Sequence, residues 1–146
     1  LVPEGLDASL VLVRHGESEW IVEGRFQGQA ETPLSATGRR QAALVADRLA
    51  RAHASPPLPV PPGPPLEIVH SPLARTAETA RAIGGAIDAA EGRLVPLRTD
   101  DGFKEINQGA WEGVTHDEIA RRWGAELRAW RRRPAEAWAP GGESIG

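Results

Sequence analysis

Arg14 and His15 stand directly after the apolar run LVLV (residues 10–13), so a segment built for the core ends abruptly in charge. A second arginine, Arg75, lies in HSPLARTAETA, and Glu105 lies in the polar, glycine-rich stretch FKEINQGAWEG. Two guanidiniums together with a helix N-terminus, whose first N–H groups lack partners, form a site for a doubly charged oxyanion such as phosphate. Cations beside an imidazole disfavour its protonated form, so His15 is expected to be neutral with a free lone pair, as a nucleophile requires. Attack on phosphorus also needs an acid for the leaving alkoxide, and Glu105 is the candidate. A lone histidine after a strand is more often structural, and an arginine near a helix start is more often a solvated charge. The case therefore rests on the set.

These residues need elements that bring them together. The run at 10–13 is short, rich in valine and leucine and closed by polar residues, which predicts a buried strand. Ser35 precedes a segment in which Ala42, Val45, Ala46 and Leu49 recur at helical spacing, predicting an amphipathic helix capped by that serine. Residues 55–65, SPPLPVPPGPP, hold seven of the 13 prolines and predict an extended surface linker within the domain. LEIV at 66–69 predicts a second strand. A helix follows, with Ser71 as its cap and Pro72 at its first position. RLVPL at 93–97 predicts a weaker strand, because Pro96 cannot donate to a ladder. Thr115 and Glu118 are spaced as a capping box at the head of a third helix through residues 115–133. Strands alternating with helices imply a mostly parallel sheet, and ligands then bind beyond the carboxyl ends of the strands. Arg14, His15 and Arg75 are expected to converge there.

Composition limits the remaining choices. With 146 residues, 40% hydrophobic and 25% charged, residues 1–146 are expected to form one globular domain. The net charge of −3 supplies no general basic field for nucleic acid. No apolar run approaches the ~20 residues needed to cross a bilayer, so no membrane partner is expected and a cytoplasmic location is the default. The absence of cysteine excludes disulfides, thiolate metal sites and cysteine nucleophiles. All but one of the 17 basic residues are arginine, Lys104 being the exception, which with the abundant alanine and proline suggests a GC-rich bacterial source. The sequence contains no methionine, and a chain trimmed at both ends is expected.

Five blocks, LVLVRHGESEW, GRFQGQAETPLSATGRRQA, HSPLARTAETA, EINQGAWEG and PGGES, occur in an order and spacing that resemble the histidine phosphatase superfamily, also called the phosphoglycerate-mutase-like family. The resemblance covers nearly the whole chain. It implies a three-layer α/β/α sandwich, a phosphohistidine intermediate on His15, Arg14 and Arg75 as phosphate clamps, and Glu105 as the proton donor. It further implies Ser18, Gln27 and Gly28 as substrate-binding residues, and no metal or other cofactor. The partner it implies is a small phosphorylated metabolite or the phosphate anion, and a homodimer is compatible with it.

Two departures qualify the expected activity. Family members commonly carry an asparagine after the tryptophan of the first block, where this chain has Ile21. They also take a second pocket histidine from a strand-end segment beyond the PGGES turn, and the chain is expected to continue past Gly146 to supply it. His53, His70 and His116 are expected to be solvated or structural, and Trp111 to pack beside the pocket. Phosphomonoester hydrolysis is the favoured function. The alternatives are a cofactor-dependent phosphoglycerate mutase, a catalytically impaired phosphate-binding or interaction domain, and an RNA-binding domain using Arg131, Arg132 and Arg133. That last basic run reads better as a helix end, where cations suit the dipole.

Overall fold

Two short strands, β1 (Ile68–His70) and β2 (Leu97–Thr99), pair in parallel with Ile68 opposite Leu97 and His70 opposite Thr99. The computed structural model describes Gly5 and residues 8–145. Ladder bonds continue past both ends of the pair, from Ile68 N to the Pro96 carbonyl at 2.8 Å and from Asp100 N to the His70 carbonyl at 2.9 Å. Pro96 therefore serves as an acceptor only, which explains why the second strand begins one residue after it. Because the strands run parallel, the segments after His70 and Thr99 leave the sheet side by side. One leads to Arg75 and the other to Glu105.

Among the described residues five α-helices accompany the sheet: α1 (Glu19–Val22), α2 (Ala36–Ala50), α3 (Ala74–Glu91), α4 (His116–Arg122) and α5 (Gly124–Arg132). Among the described residues none is long and apolar enough to cross a membrane. Ser35 caps α2 as expected, accepting from Gly38 N at 3.0 Å. α3 packs along α2 and over both strands, and Ala46, Ile83, Ile87 and Val95 form their shared core. Gly84 permits this approach, since a Cβ there would stand 2.8 Å from the Leu97 side chain. A second core joins Trp111, Ile119, Leu127 and Ala139 beneath Phe26 and Trp130, with the Phe26 and Trp111 rings meeting edge to face at 5.5 Å. Each fully buried large side chain in these cores contributes roughly 1.5–3 kcal/mol.

Several expectations need correction. Residues 10–13 join no ladder among the described residues and are exposed, Leu12 to 89%. An apolar run becomes a strand only when neighbours provide both hydrogen bonds and cover, and the described sheet does not extend to it. α3 starts at Ala74 with Leu73 at its cap position, not at Pro72 with Ser71. The Ser71 hydroxyl instead meets the Thr76 hydroxyl at 2.7 Å. The predicted third helix is two, broken at Trp123, whose φ and ψ of −134° and 43° are not helical, just before the flexible Gly124. Thr115 caps α4, but Glu118 pairs with Arg122 instead of closing the box. Residues 55–65 form an irregular, largely exposed segment without helix or strand.

Candidate active site

Arg75 is the deepest charged group of the site, 1% exposed in the first turn of α3. Burial of a guanidinium requires acceptors aimed at it. Nη1 donates to the Ala30 carbonyl at 3.0 Å and Nη2 to the Gly28 carbonyl at 2.7 Å. Nη2 also lies 3.2 Å from Glu105 Oε2. Nε is buried with no partner. A cation held by two carbonyls, with an N–H left over, is a prepared anion contact.

The loop presenting those carbonyls is itself pinned. Gly28 has a φ of +53°, and a Cβ there would collide with Glu112 Oε1 and stand 2.8 Å from Gln108 N. Glycine satisfies both demands. Glu112 Oε1 accepts from Gln29 N at 2.8 Å and from Gln108 N at 3.1 Å, tying the loop to the segment that follows Glu105. Gln29 Nε2 donates to the Glu105 carbonyl at 3.0 Å and to Glu143 at 3.3 Å, while Glu143 also accepts from Asn107 N at 2.7 Å. Glu31 accepts from Ala74 N at 3.0 Å. That N–H at the head of α3, which the sequence offers to a phosphate, is thus taken by a carboxylate of the chain.

His15 is half-buried, with Nδ1 2.7 Å from the Gly16 carbonyl. Burial pushes its pKa below the ordinary histidine value; the Gly16 contact opposes this, Arg75 and Arg14 reinforce it, and Glu105 opposes it. The ring is held toward the neutral form, and its Nδ1 contact with a carbonyl leaves the Nε2 lone pair free. Arg14 is exposed and makes no hydrogen bond or ion pair among the described residues. It lines an open cleft with His15, Glu17, Ile21 and Gln41. Ile21 thus stands where the sequence comparison expects an asparagine.

The charges of Arg75, Arg14 and Glu105 act on the His15 ring, and Arg75 pairs with Glu105. Ser18 and Gln27 are placed differently from a free ligand contact. The Ser18 hydroxyl is fully buried, caps α1 by accepting from Ile21 N at 3.2 Å, and donates to Gln27 Oε1. Gly28 contributes through its carbonyl to Arg75. Sequence reasoning missed Glu31, Thr79, Glu112 and Glu143 as supports. All four fall inside quoted motifs, but a motif letter does not reveal which backbone group a side chain will meet.

Fold and site together define an α/β protein with a histidine biased toward its neutral form in the field of a buried cation. The profile of the Histidine phosphatase superfamily (branch 1) matches residues 10–146, and the chain belongs to that family. It is 34% identical over 137 residues to phosphoserine phosphatase 1 of Hydrogenobacter thermophilus, covering 93% of this chain and 56% of the relative. It is 40% identical to glucosyl-3-phosphoglycerate phosphatase of Mycolicibacterium vanbaalenii (92% and 52% covered). A 2,3-bisphosphoglycerate-dependent phosphoglycerate mutase of Gloeobacter violaceus is 34% identical (94% and 57% covered). Among solved structures, mycobacterial glucosyl-3-phosphoglycerate phosphatase in complex with VO3 superposes with a TM-score of 0.72 at 33% identity, over 89% of this chain and 54% of that one. The chain spans about half the length of the curated relatives it matches.

Proposed function

We propose that the protein hydrolyses phosphomonoesters through a phosphohistidine on His15, with residues 1–146 belonging to one domain. The observation that carries this reading is the buried Arg75 guanidinium, with its unpartnered Nε, acting on a histidine already biased toward neutrality. Arg75 and Arg14 would hold the phosphoryl oxygens as charge builds on them, the main contribution a protein makes to phosphoryl transfer. His15 Nε2 forms a bond to phosphorus as the bond to the leaving oxygen breaks. A proton brought by the monoester monoanion passes through Glu105 to that oxygen, releasing the alcohol. Water then attacks phosphorus, the N–P bond breaks, and Glu105 relays the water proton to the departing phosphate. His15 returns neutral. Ser18, Gln27 and Gly28 serve this site by shaping the loop around Arg75.

A mutase reading differs in the acceptor alone, with a bound sugar acid replacing water, and the mutase relative supports keeping it as second choice. Of the phosphatase relatives, one is 40% identical to this chain and the other 34%, against 34% for the mutase. Acid and base quenching of the protein during turnover of p-nitrophenyl phosphate tests the proposal. Phosphate is expected on an acid-labile, base-stable nitrogen that maps to His15; phosphate trapped as a serine ester excludes it.

A further inference from the structure

The turn that carries His15 is gripped between two helices. On the α3 side, Gly16 N donates to the Thr79 hydroxyl at 3.3 Å, and Thr79 is 5% exposed. That hydroxyl in turn donates to the Arg75 carbonyl one helical turn earlier, at 2.8 Å. Its hydrogen is committed there, so a lone pair faces Gly16. On the α2 side, Gly16 rests against Gly38. A Cβ on Gly16 would collide with the Gly38 carbonyl, and a Cβ on Gly38 with the Glu17 carbonyl. Glu17 N is held by Gln41 Oε1 at 2.8 Å. Every peptide group just after His15 is therefore tied to α2 or α3.

This matters because the Gly16 carbonyl is the partner of His15 Nδ1. A carbonyl accepts only from a protonated ring nitrogen, so its position selects the tautomer that leaves Nε2 unprotonated. We infer that Thr79 is a positioning residue: it fixes Gly16 by its N–H while Gln41 holds the Glu17 N–H of the peptide that carries the Gly16 carbonyl, and the two together aim that carbonyl at Nδ1 and so present Nε2 for attack. Thr79 also links the backbone of Arg75 to that of Gly16, setting the spacing between the cation and the ring. The inference rests on the reading of His15 as nucleophile, but its principal readout, the tautomer, does not depend on turnover. The charged groups acting on the ring, Arg14, Arg75 and Glu105, are unchanged in the variants below.

Long-range 15N–1H NMR of the full chain tests this at a pH where His15 is neutral. The parent is expected to show one tautomer, protonated at Nδ1, and Thr79→Ser, which keeps the hydroxyl, is expected to match it. Thr79→Val keeps the volume and removes the acceptor, and should populate both tautomers. It should also slow formation of the phosphoenzyme by roughly tenfold to 10²-fold, the usual penalty for a misplaced reacting group, with KM little changed. A Thr79→Val protein with the parent's single tautomer overturns the inference. The parent alone gives a further measure: its Gly16 amide should resist hydrogen exchange like the α2–α3 core, and free exchange there overturns the inference as well. A parent that shows the expected tautomers yet never traps phosphate on His15 counts against the nucleophile reading and leaves the role of Thr79 supported.

Discussion

Arg75 Nη2 stands 3.2 Å from Glu105 Oε2, so a side chain 1% exposed holds one that is 42% exposed. Arg75 stands in the first turn of the helix after β1 and Glu105 in the loop after the adjacent parallel strand β2, so neither lies near the other in sequence. The pairing engages Glu105 through Oε2, on a side chain that stays partly open to solvent. Such a half-exposed pair adds little stability; its consequence is orientation.

If Glu105 moves the proton to the leaving oxygen, Glu105→Gln removes that path while keeping size and shape. Turnover of alkyl phosphates is expected to fall by about 10²–10⁴, the usual worth of general acid catalysis. Activated aryl phosphates need less protonation and should lose less. Steady-state rates on a series of leaving groups check this, and equal losses across the series would remove Glu105 from the role.

Arg75→Lys keeps the charge but loses the fork that serves Gly28, Ala30 and Glu105 together. Affinity for vanadate should drop sharply, and turnover should fall by about 10²–10³, as for other preorganised donors. Leaving buried carbonyls without a donor also costs about 1–3 kcal/mol of stability. Calorimetry with vanadate, beside urea unfolding, separates the two effects. Unchanged vanadate affinity would mean that the anion binds elsewhere.

Gly28→Ala tests the loop that cradles Arg75. The substitution meets a φ of +53° and the Glu112 carboxylate at once. A loss of about 1–3 kcal/mol in unfolding free energy is expected, together with weaker vanadate binding as the Gly28 and Ala30 carbonyls shift. An unfolding midpoint equal to that of the parent would show that the loop bends without consequence.

The candidate site could be proposed from the sequence because chemistry restricts residue types and because five ordered blocks resemble a known family. His15, Arg75 and Glu105 could be chosen from the sequence, and the helix after Ser35 followed from its cap and its apolar spacing. What could not be read is which partner a polar group meets across the fold. Glu31 on Ala74 N and Glu112 on Gln29 N span 43 and 83 residues, and no local pattern encodes such contacts. Residues 10–13 failed for a related reason: an apolar run states that burial is favourable, but among the described residues no neighbour covers it. The break at Trp123 was hidden because Ile119, Trp123, Leu127 and Trp130 keep helical spacing across it, so periodicity reads straight through the break.

The final expectation concerns pH. His15 has its pKa lowered in the folded state, first by burial and then by Arg75 and Arg14, while in the unfolded chain it titrates near the ordinary value of about 6.5. Above that value the ring is neutral in both states and its favourable contribution to folding is complete. As pH falls below it, the unfolded chain takes up a proton that the folded ring resists, so stability is lost until the lowered folded value is passed. The loss cannot exceed about 1.4 kcal/mol per pH unit, and the partial exposure of the ring keeps it smaller. Urea unfolding of the parent and of His15→Gln between pH 7.5 and 4.5, a window set about two units below and one above the ordinary histidine value, should therefore show the parent losing ground to the variant on the acid side. For the same reason the acid limb of kcat/KM should lie below the ordinary histidine value, because the free-enzyme nucleophile stays unprotonated to lower pH. An acid limb above about 6.5, or parallel stability profiles for parent and variant, would show that burial and the two arginines do not govern this ring.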